Sequence, residues 1–366
     1  MTLTAFDVQG YRSLRSVYLH LKRVNVVVGA NGCGKSNLYK SLRLVAAAAE
    51  GSFGRRMAEE GGLDSLLWAG SHGKDPQRII VKVKLDNGLR YEFSCGRPGP
   101  TESAFSGDPF FKEERISVMI EGKKALLLDR KAGAVHARDL SGKRTTYPNA
   151  VPSSESVLSE LREPHLYPEL SMLRSEFLSW RFYHKFRTDD LSPLRQEQCA
   201  TRTMALNHDG SDLAAALMTI NWVGDREALA SSVDNAFPGA FLELAEINGK
   251  AGLGLRMPDF NRAFNARELS DGTLHYLCLL AALLSPRPSG LLAINEPESS
   301  VHPDLLEPLA DLIALASRDS QIWVITHSFP LAKMIAQRCK VDLIQLEKID
   351  GETSVKGQKL SPDDDD

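Results

Sequence analysis

The amino-acid sequence predicts an α/β protein in which helices cover a mixed β-sheet, with a lobe of antiparallel strands and an inserted helical subdomain. Short apolar runs in residues 1–28 have the pattern of strands, and the last one leads into a glycine-rich loop and a helix. From residue 252 onward, strand-like and helix-like segments alternate. Residues 153–235 between these ends have apolar residues at helical spacing.

Composition indicates a globular protein, because 43% of the 366 residues are apolar and 25% are charged. The last four aspartates contribute −4 to a formal net charge of −3, so the rest of the chain has no global attraction for nucleic acid. Five scattered cysteines without CxxC spacing indicate reduced thiols and a cytoplasmic location. The longest apolar run, Tyr276–Leu284, is shorter than the roughly 20 residues that cross a bilayer, so we expect no membrane partner.

The N-terminal elements follow from local patterns. Strands are expected at "TAFDVQGY", "SVYLHL" and "VNVVVG", followed by a helix at "KSNLYKSLRLVAAAA". The segments "RIIVKVKL" and "LRYEFSC" are joined by Asp86-Asn87-Gly88, which is typical of a β-hairpin. Residues 96–150 are rich in Gly, Pro, Lys and Ser, so loops and irregular strands are expected there.

The phosphate loop, residues 29–36, reads GANGCGKS and fits the pattern GxxxxGK[ST] between a strand and a helix. Its glycines let the backbone turn N–H groups toward phosphate oxygens, and the helix N-terminus favours an anion. Lys35 would reach the β- and γ-phosphates, and the Ser36 hydroxyl would bind Mg²⁺. ATP and Mg²⁺ are therefore the expected cofactors, and the expected nucleotide-binding residues are Gly29, Asn31, Gly32, Cys33, Gly34, Lys35, Ser36 and Asn37.

Hydrolysis needs an acidic group beside the metal, and "LLAINEPESSVHP" has one directly after an apolar strand. Glu296 is the candidate to polarise the attacking water. Asn295 stands where an aspartate usually holds the Mg²⁺ shell, so weaker Mg²⁺ affinity or slower turnover is expected. A second apolar strand, "QIWVITHS", ends at His327, a candidate sensor of the γ-phosphate. The predicted catalytic groups are Glu296, His327 and Lys35, with Ser36 and Asn295 at the metal.

The motifs "GANGCGKS", "LSDGT", "LLAINEPESSVHP" and "VITHS" occur in this order, which resembles the ABC-type ATPases. Within them the chain is similar to the group that includes SMC proteins, RecF and the OLD-family ATPases, as are the opening "FDVQGYRSLRSVYLHL" and Asn37 after the loop. The resemblance covers roughly residues 1–50 and 255–345. It implies a P-loop NTPase fold of ABC type, in which two protomers enclose two ATP molecules head to tail.

The resemblance also implies roles for individual residues. Ser270 and Gly272 of "ELSDGT" match the family's signature loop, which contacts the γ-phosphate held by the opposite subunit. Glu296 matches the catalytic base and His327 the switch histidine. Asp271 replaces the glycine that is usual in transporters and brings a carboxylate near phosphate. The family's Mg²⁺-binding glutamine has no clear match, and Gln196 and Gln198 are weak candidates.

Four regions are expected along the chain. They are an N-terminal ATPase lobe with the phosphate loop and an antiparallel β insertion (1–150), a mainly helical subdomain (151–250), a C-terminal ATPase lobe with the signature loop, acidic strand end and switch histidine (251–360), and an acidic tail (361–366). The 235 residues from Lys35 to Ser270 are too few and too aperiodic for long coiled-coil arms. Because 39 residues follow His327, we do not expect the nuclease domain of OLD nucleases.

The expected function is that of an ATPase that works as a molecular switch: ATP closes a homodimer or higher oligomer, and hydrolysis opens it. By resemblance, it would act with a partner effector or on DNA, in DNA repair or anti-phage defence. Two alternatives stay open: a regulator in which Asn295 makes hydrolysis slow or absent, and the energising subunit of a transporter. The basic residues do not form a traceable stripe for DNA and are expected to be mostly solvated: Arg55, Arg56, Lys143, Arg144, Arg195 and Arg202.

Overall fold

The computed structural model describes residues 1–70, 77–98, 108–131, 133–148 and 151–357, so the acidic tail expected at 361–366 lies outside the described residues. The strands are Leu3–Tyr11 (β1), Leu14–His20 (β2), Val24–Gly29 (β3), Arg78–Leu85 (β4), Leu89–Gly96 (β5), Phe110–Ile120 (β6), Lys123–Lys131 (β7), Ala134–Arg138 (β8), Arg144–Pro148 (β9), Arg181–Tyr183 (β10), Gln198–Cys199 (β11), Phe241–Ile247 (β12), Lys250–Arg256 (β13), Phe264–Asn265 (β14), Leu291–Asn295 (β15), Gln321–Ile325 (β16), Leu343–Ile349 (β17) and Glu352–Val355 (β18).

The helices are Lys35–Glu50 (α1), Phe53–Glu59 (α2), Leu63–Leu66 (α3), Val157–Glu160 (α4), Pro168–Ser179 (α5), Leu213–Val223 (α6), Arg226–Ala236 (α7), Asp271–Leu283 (α8), Leu306–Ala316 (α9) and Phe329–Cys339 (α10). The chain divides into two compact units. The first contains Met1–Lys22, Gly29–Trp180 and Ile344–Asp366, and the second contains Arg23–Val28 and Arg181–Leu343. The boundaries expected at residues 150, 250 and 360 remain predictions.

An antiparallel sheet forms much of the first unit, with strands in the order β2-β1-β4-β5-β6-β7-β8-β9. Strand β4 shows the alternation expected of a sheet with one buried face, because Ile79, Val81 and Val83 are buried while the residues between them are half-buried. Strands β4 and β5 pair as the predicted hairpin, and Gly88 in their turn has a φ of 84°.

The described part of residues 96–150 contains more strand structure than the loops and irregular strands expected there. Strands β6 to β9 pair antiparallel, with one register shift between Ile116 and Ser117. The pattern was hidden because Glu114 in β6 and Arg130 in β7 occupy core positions in which apolar residues are usual, with exposed side-chain fractions of 0% and 1%. These two charges interrupt the apolar alternation that identifies strands.

The buried carboxylate of Glu114 has partners from several elements. It accepts hydrogen bonds from the Tyr91 hydroxyl (2.8 Å) and the Val157 N–H (2.9 Å), and Arg130 Nη1 lies 3.4 Å from it. Arg130 also donates to the Pro152 carbonyl at 2.8 Å. Because a buried charge is tolerated only with such partners, this network ties β5, β6 and β7 to the segment that leads into α4.

The second unit contains parallel strands in the order β10-β15-β16-β3. Asn295 lies opposite Ile325, and Ile325 lies opposite Val27, so the carboxyl ends of β15, β16 and β3 share one edge. Ligands of open α/β sheets bind at such an edge. Helices α6, α8 and α9 contribute to the apolar core of this unit, in which β11, β12, β13 and β14 form a further small sheet. The sequence did not predict β10, because it contains only three residues.

Among the helices of the described ranges, none combines the length and apolar character that crossing a bilayer requires.

The buried pair yields a test of stability. Replacing Arg130 by Met leaves Glu114 buried without its cation, so we expect the free energy of unfolding to fall by about 3 to 5 kcal/mol. The same change at Arg97, whose pair with Asp64 is exposed, should cost less than about 1 kcal/mol. Urea denaturation of both variants measures the difference. Equal losses would contradict the structural role of the pair.

Candidate nucleotide site

The predicted site residues fall into two groups, one in each compact unit. The phosphate loop belongs to the first unit, where it leads into α1. The strand end with Asn295 and Glu296, the segment around His327, and the signature loop (Ser270–Gly272) belong to the second unit.

The phosphate loop has the backbone of an anion site. Gly32 and Gly34 have φ angles of 75° and 104°, in the left-handed region that favours glycine. A Cβ atom on Gly34 would lie only 2.0 Å from Thr353 Oγ1 in β18, so a side chain does not fit there. Helix α1 has no acidic residue in its first turn, which leaves its N-terminus favourable to a negative charge.

The side chains of the loop differ in their contacts and exposure. The Lys35 ammonium donates to the carbonyl oxygens of Gly29 (2.6 Å) and Ala30 (2.9 Å), and the side chain is buried. Cys33 is also buried, whereas Ser36 is exposed. The Asn37 amide donates to Ser13 Oγ at 2.9 Å. This bond links the first turn of α1 to the turn between β1 and β2.

The residues proposed for Mg²⁺ have the chemistry that this ion prefers. Ser36 has an exposed hydroxyl at the first turn of α1. Asn295 is 5% exposed, and its Oδ1 has no hydrogen-bond partner among the described residues. A buried acceptor without a partner costs about 1 to 3 kcal/mol, so this oxygen is suited to accept from a metal-bound water.

Glu296 and His327 meet in the second unit. Glu296 Oε1 lies 2.9 Å from His327 Nε2, and both side chains are about one-third exposed. The backbone of Glu296 has a φ of 49°, which is uncommon for a residue with a side chain, and its N–H donates to the Ile325 carbonyl at 2.7 Å. Strained backbone of this kind clusters at functional sites.

Glu298 is a site residue that the sequence analysis missed. Its Oε1 accepts hydrogen bonds from the N–H groups of His327 (2.8 Å) and Ser328 (3.1 Å). Its Oε2 is buried without a partner among the described residues. The carboxylate therefore holds the turn that presents His327. The available signal was the second acid of "EPES", two residues after Glu296.

The signature loop begins α8. Ser270 is the N-cap residue, because its Oγ accepts from the Thr273 N–H at 3.2 Å. A Cβ atom on Gly272 would lie 2.4 Å from the Ser300 carbonyl oxygen, so the loop packs closely on the turn that follows Glu296. A serine hydroxyl has one donor and two acceptor positions, so Ser270 can cap the helix and still donate to another oxygen.

Arg195 corrects an expectation from the sequence. It belongs to the set of basic residues expected to be mostly solvated, but it is 8% exposed and bonds to Asp271 Oδ1 at 2.7 Å. Other arginines and lysines of that set are exposed, namely Arg55, Lys143, Arg144 and Arg202.

The two glutamines considered for Mg²⁺ have their amide oxygens in protein contacts. Gln198 Oε1 accepts from the Ala214 N–H at 2.7 Å. Gln196 Oε1 accepts from Arg267 at 3.4 Å.

Helix α8 also contains a buried histidine. His275 is 7% exposed and hydrogen-bonds to the Pro297 backbone, in the turn that contains Glu296 and Glu298. Burial lowers the pKa of His275 to about 4, while the bond to Pro297 acts in the opposite direction. The imidazole is therefore neutral in the folded protein at pH 7.

The fold and the phosphate loop together are those of an ABC-type P-loop ATPase. Residues 24–332 match the family model described as "AAA domain, putative AbiEii toxin, Type IV TA system", and the chain belongs to that family. Family membership makes it an ATP-binding, nucleotide-dependent protein. Among curated proteins, none matches the chain significantly.

Solved SMC head domains have a similar fold. One, bound to the C-winged helix domain of ScpA, has a TM-score of 0.55 and 14% identity, with 97% of each chain covered. Another, with an extended coiled coil and bound to the C-terminal domain of ScpA derived from Pyrococcus furiosus, has a TM-score of 0.53 and 15% identity, with 97% of this chain and 95% of that chain covered. These matches confirm the predicted fold class and the resemblance to the SMC- and RecF-like group.

Gly34 gives a test of the phosphate loop. Gly34→Ala should lower the affinity for ATP by about tenfold or more, because the added Cβ meets Thr353 and the backbone φ disfavours alanine. The control is Gly54→Ala in α2, where a Cβ meets nothing within 4 Å. Titration with a fluorescent ATP analogue measures both. Unchanged affinity in Gly34→Ala would contradict nucleotide binding by this loop.

His275 gives a test of pH dependence. The unfolded chain protonates this histidine near pH 6.5 and the folded chain near pH 4, so its contribution to stability is complete above 6.5 and is lost as the pH falls toward 4. The loss approaches about 3 kcal/mol. Denaturation of wild type and His275→Gln between pH 4 and 7 should show a smaller pH slope in the variant. Parallel slopes would contradict the burial.

Proposed function

We propose that this protein is an ATP-driven molecular switch, in which ATP closes a head-to-tail dimer and hydrolysis opens it. The observation that carries the proposal is the 2.9 Å hydrogen bond between Glu296 and His327, at the carboxyl ends of two neighbouring parallel strands. A carboxylate at this edge can accept the proton of an attacking water. A histidine bonded to it can report the presence of a γ-phosphate.

Each group of residues has a proposed role toward ATP. Strand β3 leads into the phosphate loop, and within the second unit the Val27 carbonyl accepts from the Thr326 N–H, next to His327. Lys35 would exchange the loop carbonyls for the β- and γ-phosphates of ATP. Bound Mg²⁺ would neutralise phosphate charge, with Ser36 at the ion and Asn295 on its water shell. Gly29, Asn31, Gly32, Cys33 and Gly34 would contribute backbone N–H groups.

Dimerisation would complete the site. In the proposed dimer, Ser270 and the N-terminus of α8 face the γ-phosphate that the other protomer holds, with Gly272 allowing close approach. Neither protomer then has a complete site alone. A homodimer or a higher oligomer built through such composite sites is the expected active form.

The setting is proposed from the comparisons. The family description names a type IV toxin–antitoxin system, which supports a role in anti-phage defence; DNA repair is the other setting considered. The similar SMC heads were solved with domains of ScpA, which supports a partner effector protein for this chain. DNA is a further proposed partner, and its binding would weaken steeply with salt. A cytoplasmic location belongs to the same proposal.

A slow or non-hydrolysing regulator is the second candidate, and Asn295 favours it. The amide oxygen of Asn295 is buried and has no partner among the described residues, so it is available to the water shell of Mg²⁺. Unlike an aspartate, however, the amide has no negative charge. Weaker binding of Mg²⁺ would slow hydrolysis and so prolong the ATP-bound state. The dimer would then act as a timer.

Steady-state ATP turnover as a function of protein concentration tests the proposal. Specific activity should rise with concentration, because each site needs two protomers. Glu296→Gln should lower turnover about 10²- to 10⁴-fold while ATP binding persists. Glu227→Gln, on the exposed surface of α7, is the matched control and should behave as wild type.

Two results would change the assignment. Specific activity that is constant over concentration, with an active wild type, would overturn the composite site. Wild type and Glu296→Gln that both bind ATP and are equally inactive would favour the regulator.

A further inference from the structure

A buried arginine organises the signature loop. Arg195 is the last residue of the short 3₁₀ turn Pro193–Arg195, and its guanidinium donates to several oxygens in the second unit. The partners are the carbonyls of Thr188 (2.9 Å), Ala266 (3.2 Å), Arg267 (3.1 Å) and Leu269 (2.8 Å) and the carboxylate of Asp271 (2.7 Å). Three of these carbonyls belong to the segment that leads into α8, and the carboxylate belongs to the first residue of that helix.

We propose that Arg195 is a positioning residue that makes the signature loop competent to meet phosphate. The guanidinium fixes the backbone before Ser270 and offsets the charge of Asp271. This inference rests on the proposed composite ATP site and deepens it, because it names the group that prepares one half of that site.

The first contribution of Arg195 is electrostatic. Asp271 is the first residue of α8, directly after Ser270, and its side chain is 58% exposed. An unpaired carboxylate here would repel a γ-phosphate that approaches the helix N-terminus. Arg195 is buried, so water screens its positive charge poorly. The pair lets the loop have an acid at this position without a net negative charge.

The second contribution of Arg195 is geometric. A planar guanidinium has five N–H donors in a rigid fork, and Arg195 uses it on oxygens of Ala266, Arg267, Leu269 and Asp271 together. The Arg267 side chain in turn donates to the Arg195 carbonyl at 3.2 Å. The segment before Ser270 is therefore held from both directions. A lysine ammonium cannot reach this set of acceptors in one position.

The test measures ATP-dependent self-association and ATP affinity separately. All proteins contain Glu296→Gln, so that bound ATP persists. Sedimentation with ATP and Mg²⁺ gives the dimer dissociation constant, and a fluorescent ATP analogue at low protein concentration gives the affinity of the single protomer. Arg195→Gln is compared with Arg187→Gln, which breaks only an exposed pair with Asp189.

Arg195→Gln should weaken the dimer by about tenfold to a hundredfold, as expected for lost charge-assisted hydrogen bonds, while the affinity of the protomer for ATP changes by less than about twofold. Adding Asp271→Asn to Arg195→Gln should recover part of the association, because the unpaired carboxylate is then absent. Arg187→Gln should associate like the parent. A general structural defect would not be rescued by Asp271→Asn.

The outcomes separate the two proposals. If the parent does not associate on addition of ATP, the proposed function fails. If it associates, and folded Arg195→Gln associates equally well or loses ATP affinity in parallel, only the role of Arg195 fails. Where Arg195→Gln does not fold, Arg195→Lys keeps the charge but not the fork, and association equal to the parent would overturn the inference.

Discussion

The parallel register of β15, β16 and β3 is the constraint on which the rest of the second unit depends. Hydrogen bonds from Glu296 N–H to Ile325 and from Thr326 N–H to Val27 continue this register past the strand ends. Because parallel strands end at one edge, residues far apart in sequence become neighbours there. The core helices cover the apolar residues of these strands. This apolar packing fixes the positions of the strand ends, and it does not depend on the polar residues at those ends.

The same edge concentrates local features that a purely structural turn would avoid. Glu296 has a left-handed backbone, and buried oxygens of Asn295 and Glu298 have no hydrogen-bond partner among the described residues. Each of these features lowers the stability of the fold. Such features are found at sites that bind a ligand or catalyse a reaction. Glu298 adds order rather than strain, since it holds the turn before His327 through two backbone N–H groups.

In each unit, a buried arginine links separate segments of the chain. Arg130 joins β7 to the segment before α4, and Arg195 joins the 3₁₀ turn to the signature loop. In each case the guanidinium satisfies backbone carbonyls and one carboxylate at once, which a buried charge requires if it is not to destabilise the fold. Both arginines are buried, although charged residues are usually exposed.

Local patterns in the sequence determined the phosphate loop, the hairpin at Asp86–Gly88, the alternation of strands and helices after residue 252, and the fold class that the comparisons confirm. These depend on neighbours within a few residues, which is the range that periodicity and turn chemistry describe. Glu296 and His327 were singled out for the same reason, since each follows an apolar strand.

Tertiary structure alone decided which side chains meet. Arg195 and Asp271 are 76 residues apart, and Glu298 and His327 are 29 apart. The apolar alternation of β6 and β7 was interrupted by a charge pair that is buried with partners from other elements. Burial and long-range pairing depend on the whole packed chain, so no local pattern could reveal them.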